Sequence, residues 1–242
     1  MSTSDPGLQN PLRDKLHVVQ ARIAKACVDS GRPPASVQLL AVSKTFSADD
    51  VRQVAACGQC DFGENYIQEG VEKITALHAS GLQLVWHCIG PIQSNKTKLV
   101  AEHFDWVHTV DRLKIAQRLN DQRPANLPPL NVCLQVNIDG GETKSGIAPT
   151  DVLALAADVA QLPHLALRGL MTIPDFVEGI EAQVAVHAKA HVLFEAVKAE
   201  LNLPQFDTLS MGMTGDLEAA VRAGSTMVRV GTAIFGGRSY AA

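Results

Sequence analysis

The stretch SVQLLAVSKTFSADDVRQVAACGQCDFGEN, residues 36–65, contains one full turn of the pattern that decides the fold. Apart from Gln38, residues 37–43 are apolar or small, a run suited to a strand buried on both faces and too short for a helix. Ser47 with Asp50 three positions on is a capping-box signature, so a helix starts there, and Gly58 is a stop residue behind it. A second strand-like run follows at 60–63. Strand, helix and strand in that order form a parallel βαβ unit, because parallel strands need a crossover that a tight turn cannot supply.

The same unit recurs along the chain. A helix at about 11–30 leads in, and further strand-like runs fall at 84–89, 106–110, 131–138, 167–173, 208–211 and 227–234, which brings the strands to eight. Asp111 and Thr150 read as helix N-caps, Thr214 with Asp216, Leu217 and Glu218 as a less regular capping box, and Gly81 and Gly224 as helix stops. The proline-rich residues 123–129 read as the turn into the fifth strand. Eight βα units predict an α/β chain folded as a single (β/α)8 TIM barrel with an extra N-terminal helix, one domain over residues 1–242. An open doubly wound sheet is the alternative.

Composition bounds the function. The 242 residues are 46% hydrophobic, enough for a full core, and the formal net charge of -4 with scattered Lys and Arg offers no basic face for nucleic acid. No apolar run is long enough to span a membrane, and residues 1–10 are polar rather than an export signal, so a cytoplasmic protein is expected. The five cysteines are an odd number in a chain that needs no staples, which argues for reduced thiols. Cys57 and Cys60 form a CxxC, but no second Cys or His pair follows and the pair does not open a helix, so two ordinary loop thiols are expected.

In a barrel of this kind the reactive groups stand at the C-terminal ends of the strands. Unusual polar residues collect there: Lys44, Glu64 and Asn65, His87, Thr109, Asn137, Ser210 and Thr214, and Arg229 with Gly231 and Thr232 behind it. Any one of them is more simply a satisfied core or rim residue; the recurrence around the barrel is what points to a site. Lys44 leaves an apolar strand, where desolvation favours the neutral amine, the form that attacks an aldehyde. The segment SMGMTGD ahead of LEAAVRAG, with Ser210, Met211 and Thr214, puts small residues and a hydroxyl at a helix start, and VRVGTAIFGG adds Gly231 and Thr232; both suit a phosphate. These features alone also suit a sugar phosphate. A buried lysine beside a phosphate cradle narrows the ligand to a phosphate-bearing aldehyde, of which pyridoxal 5′-phosphate is the common one.

At this level of detail the sequence resembles the pyridoxal phosphate homeostasis proteins along its whole length. The blocks that carry the resemblance are LLAVSKTF (39–46), DFGENYIQE (61–69), WHCIGPIQSNK (86–96), HTVDR (108–112), KSGI (144–147), RGLMTIP (168–174), LSMGMTGD (209–216) and MVRVGTAIFG (227–236). The resemblance implies an alanine-racemase-like barrel of PLP fold type III with the cofactor on Lys44 as a Schiff base. It also implies Arg229 facing the pyridine nitrogen, Gly231 and Thr232 joining the SMGMT loop at the phosphate, and Asn65 and His87 lining the pocket. Two positions depart from the family pattern: Cys88 stands where Phe or Met is usual, and Thr214 where Ser is usual. Thr214 keeps the hydroxyl, and Cys88, alternating away from His87, is expected to face the helices.

The expected role is a vitamin B6 carrier rather than an enzyme. An arginine opposite the pyridine nitrogen leaves that nitrogen unprotonated and the ring a weaker electron sink. Racemisation also needs a second acid/base, usually a tyrosine from a further domain; here the tyrosines are Tyr66 and Tyr240. Tyr66, behind the second strand, keeps a weak racemase or decarboxylase activity open as the alternative, and an unrelated phosphate-binding barrel is the third reading. Expected partners are the cofactor and PLP-dependent apoenzymes, with no nucleic acid and no membrane. With no heptad seam in the sequence, a monomer is expected.

Overall fold

The computed structural model describes residues 11–141 and 144–237; residues 1–10 and Tyr240 lie outside the described residues. Eight parallel strands close into a barrel in sequence order: β1 Gln38–Val42, β2 Asp61–Glu64, β3 Val85–Cys88, β4 Trp106–Val110, β5 Leu130–Val136, β6 Leu165–Thr172, β7 Thr208–Ser210 and β8 Met227–Val230. Closure comes from β1 pairing with β8, which sets Leu40 level with Arg229. The open-sheet alternative is thereby excluded.

Helices α1 Pro11–Asp29, α2 Ala48–Ala55, α3 Ile67–Ala79, α4 Thr97–His103, α5 Leu113–Gln122, α6 Val152–Ala160, α7 Ile180–Leu201 and α8 Leu217–Arg222 surround the strands, and a single turn, α9 Thr232–Phe235, follows β8. The capping box at Ser47 and Asp50 is present in both directions. The other expected caps are not formed, because their side chains are engaged elsewhere. Asp111 pairs with Arg112 and α5 begins behind Arg112; Thr150 lies inside a 3-10 turn and reaches Asp151. At α8 the N-cap is Asp216 rather than Thr214, and its carboxylate turns back to the loop. The eighth strand is also shorter than expected. It stops at Val230, where the Gly231 carbonyl accepts from Ile234 and Phe235 and turns the chain into α9, with Phe235 stacked on Phe46 at 4.9 Å.

Alternation along the strands divides the core. Leu39 and Ala41 face the helices in one large cluster, while Leu40 and Val42 face the barrel axis with Ile89 and Met227. Trp106, Cys133 and Met171 form a second apolar group. Between these groups run buried polar side chains, His87, His108, Ser210 and Arg229. Cys88 packs in the helix-facing cluster, where burial pushes its thiol up to about 12. Cys27, Cys57, Cys60, Cys88 and Cys133 are free thiols, and among the described residues no His, Cys, Asp and Glu cluster is arranged for a metal. No described helix is long and apolar enough to cross a membrane.

Candidate functional site

A cavity of about 320 Å³ opens at the C-terminal ends of the strands, within the size range of small-molecule sites. Lys44 stands on its wall two residues past the end of β1. The backbone on both sides of Lys44 is fixed by α3. Lys73 Nζ, on that helix, donates to the Ser43 carbonyl at 2.8 Å, to Glu64 Oε1 at 2.8 Å and to Glu69 Oε1 at 2.6 Å. Ser43 Oγ donates to the same Glu64 oxygen, and Glu69 Oε1 accepts the Thr45 N–H at 2.6 Å. Thr45 is held at φ 68°, an uncommon conformation for a β-branched residue. The chain thus leaves β1 by a sharp turn whose two flanks rest on one buried ion-pair network. Burial raises the Glu64 carboxyl above its ordinary value despite the Lys73 charge beside it.

On the neighbouring strand β8, Arg229 also borders the cavity and is 4% exposed. Its Nη1 donates to Ser210 Oγ at 2.9 Å and its Nη2 to the Thr172 carbonyl at 2.9 Å. Burial lowers the guanidinium to about 10, so it remains a cation at neutral pH. Both partners are neutral oxygens, so among the described residues the guanidinium has no carboxylate in hydrogen-bond contact, and Asp216 acts on its charge only through space.

The rim between these residues is built from two loops. Gly212, at φ 94°, takes a backbone path in which a Cβ would lie 2.4 Å from that of Ala220. Asp216 then ties the loop, accepting the Met213 N–H at 2.6 Å with one oxygen and facing His187 Nε2 at 2.9 Å with the other. Burial works against the Asp216 charge, but the bonds from His187 and Met213 prevail and its pKa is lowered. Arg22 reaches in from α1 to the Thr214 carbonyl and to Glu218. Across the cavity a Cβ on Gly231 would stand 2.9 Å from the Val42 carbonyl oxygen, so a glycine lets the two strand ends meet. The N–H groups of Thr214, Gly215, Gly231 and Thr232 have no acceptor among the described residues.

Of the residues singled out in the sequence, Lys44, Asn65, Thr214, Arg229, Gly231 and Thr232 border this one cavity. His87, Ser210 and Met211 lie outside its lining. His87 lies within β3 and is fully buried, with its ring against Trp106 at 5.3 Å; Ser210 Oγ accepts from Arg229 and lies 3.0 Å from His108 Nδ1; Met211 packs in the helix-facing core. Thr109 Oγ1 donates to the Gly90 carbonyl and Asn137 Nδ2 to the Gly141 carbonyl, while the buried Asn137 Oδ1 has no partner among the described residues. Tyr66 is 55% exposed and outside the lining. Val42, Phe46, Ile89, Ile173, Met213, Gly215 and Gly236 complete the walls. Met213 and Gly215 sit within the SMGMTGD block, but Ile89 and Ile173 carry no polar signal that singles them out.

The walls fit a flat, phosphate-bearing aldehyde. They offer one amine, a guanidinium lacking a carboxylate partner, and four backbone donors. The buried Asn65 Oδ1 also lacks a donor among the described residues.

Residues 21–239 match the family model of the alanine racemase N-terminal domain. The pyridoxal phosphate homeostasis protein of Pseudomonas aeruginosa is 57% identical over 231 residues, covering 96% of this chain and 97% of that protein. Its counterpart in Haemophilus influenzae is 53% identical over 229 residues, covering 95% and 97%. Among solved structures, PipY of Synechococcus elongatus with PLP bound superposes with a TM-score of 0.80 at 34% identity, over 93% of this chain and all of that one.

Proposed function

This chain belongs to the pyridoxal phosphate homeostasis protein family, and on that premise we propose that it binds pyridoxal 5′-phosphate, held as a Schiff base on Lys44. When bound, the group supplies an aldehyde carbon that condenses with an amine, releasing water, and an aromatic ring able to draw electrons from that carbon. The observation that carries the reading is that Lys44 and Arg229 border the same cavity beside a rim of unused backbone donors. Lys44 provides the amine. Thr214, Gly215, Gly231 and Thr232 take the phosphate, and Arg229 faces the ring nitrogen. A guanidinium has only donors and keeps its proton, so it leaves that nitrogen unprotonated.

The protein acts as a carrier in vitamin B6 homeostasis rather than as an enzyme. Apart from Lys44 and Arg229, the described residues lining the cavity include no Asp, Glu, His, Cys, Tyr or Lys. A base within hydrogen-bond reach of a substrate α-proton is what racemisation or decarboxylation on this fold would need. Tyr66, the residue that kept an enzymatic role open, is exposed and lies outside the cavity lining. The remaining parts of the reading are a single domain, a monomer working in the cytoplasm, and PLP-dependent apoenzymes as recipients. The test is spectroscopic: protein loaded with pyridoxal phosphate should show a visible absorbance band that Lys44→Ala lacks. A full band in Lys44→Ala would assign the cofactor to another lysine and end this reading.

A further inference from the structure

A line of hydrogen bonds crosses the barrel interior from its N-terminal rim to the cavity. Asp61 Oδ1, at the start of β2, lies 3.2 Å from His87 Nε2; His87 Nδ1 lies 2.9 Å from His108 Nε2; His108 Nδ1 lies 3.0 Å from Ser210 Oγ. Arg229 Nη1 then donates to that same oxygen. Both imidazoles and the serine are fully buried, while Asp61 is partly open at the far end.

Counting protons gives this line a direction. Arg229 can only donate, so Ser210 Oγ accepts from it, and the serine hydroxyl has one proton left to place. Its remaining partner is His108 Nδ1, which therefore presents a lone pair and puts its own proton on Nε2. That proton goes to His87 Nδ1, which puts the His87 proton on Nε2, facing the Asp61 carboxylate. Every group is then satisfied. The opposite arrangement sets a His87 lone pair against the Asp61 oxygens and leaves the Ser210 proton without an acceptor, which is costly in a buried site. A doubly protonated His87 strands the same serine proton. Burial moreover favours neutral rings at both positions, and at His108 the Arg229 charge works in the same direction, while Asp61 and Asp105 oppose it at His87.

We propose that Asp61, His87, His108 and Ser210 are positioning residues for Arg229: the carboxylate at one end of the barrel fixes both imidazole tautomers so that His108 takes the Ser210 hydroxyl proton and the serine oxygen is turned with its lone pairs toward the guanidinium in the cofactor cavity. Through Arg229 the proposal rests on the cofactor reading for its effect on retention, but the proton arrangement is a property of the protein alone. Four side chains, one carboxyl, two imidazoles and one hydroxyl, at separate depths are thereby given one task, which their spacing in sequence does not reveal.

The experiment uses the full-length protein without cofactor, labelled with 15N at histidine and arginine. Long-range proton–nitrogen spectra of the wild type should show His87 and His108 as neutral Nε2–H tautomers, assigned by loss of signals in His87→Gln and His108→Gln. Asp61→Leu should convert both rings to mixed tautomers and speed rotation of the Arg229 guanidinium roughly tenfold, the scale of one lost hydrogen bond to a charged group. Asp61→Asn, whose amide oxygen can still accept, should restore the tautomers and the slow rotation. Cofactor dissociation should follow the same order, fastest in Asp61→Leu. A wild-type spectrum with Nδ1–H at His108 or a charged His87 overturns the proposal even if no variant folds. So does unchanged Arg229 rotation in a folded Asp61→Leu. Failure to bind pyridoxal phosphate at all would instead strike the cofactor reading and leave the tautomer result standing.

Discussion

Replacing Lys73 by methionine should destabilise the protein more than any change on the cavity wall, because it removes the cation from a buried network without removing the anion. Lys73 and Glu64 have side chains 7% and 0% exposed. In the variant, Glu64 Oε1 keeps only the Ser43 hydroxyl, its Oε2 has no partner to begin with, and the Glu69 charge stands nearby. Breaking a buried pair in this way costs about 3–5 kcal/mol, which for a chain of this size lowers Tm by roughly 10 °C. The loss should depend on pH. Burial already raises Glu64 in the folded protein, and a folded pKa above the unfolded one means a contribution present below the unfolded value and lost as pH rises through the folded value. Without Lys73 the folded value rises further, so the deficit should be smallest near pH ~4 and largest at neutral pH. Equilibrium urea unfolding of the cofactor-free protein at several pH values measures this, and Glu64→Gln combined with Lys73→Met should recover part of the loss. A deficit below about 1 kcal/mol at neutral pH, or one that does not change with pH, would refute the view that this buried pair supports the Lys44 turn.

Three further outcomes follow from the geometry. Gly231→Ala should push Val42 away from the cavity and speed cofactor dissociation about tenfold, at a stability cost of about 1–2 kcal/mol, read by dilution kinetics and urea unfolding. Asp216→Asn should cost about 1 kcal/mol at neutral pH; because the folded pKa of Asp216 is lowered, that gap should close as pH falls below about 4, which unfolding across pH would show. Tyr66→Phe should leave α-proton exchange of amino acids unchanged and close to the rate with free pyridoxal phosphate, followed by proton NMR in deuterated water; exchange well above that rate and abolished by the substitution would favour a racemase.

The barrel was legible because each βα unit announces itself locally: a short apolar run, a helix start such as Ser47 with Asp50, a glycine stop. Where side chains had a competing partner the local rules failed, as at Asp111 and Thr150, whose oxygens went to neighbours rather than to helix N–H groups. The extra length assigned to the eighth strand failed for a related reason, since TAIF carries the same apolar signal in a strand as in one buried helical turn. At the site, residues on strand ends and adjoining loops border one cavity, because strand ends in a closed barrel converge by geometry. His87 and Ser210 lie outside its lining, because depth along the axis depends on register between strands: β3 sets His87 level with Trp106, the first residue of β4. The Lys73 network escaped notice because its parts, 30 residues apart from Ser43 to Lys73, look like an ordinary helix-surface Glu69 and Lys73 pair until burial is known.

Borohydride reduction of the cofactor-loaded protein, followed by peptide mapping by mass spectrometry, tests the central claim most directly, since it records which nitrogen forms the bond to the aldehyde. The account predicts a reduced pyridoxyl-phosphate group on Lys44 and none there when Lys44→Ala is treated in the same way. A stable adduct on Lys73, Lys144 or any other lysine of the wild type, with Lys44 unmodified, would contradict it.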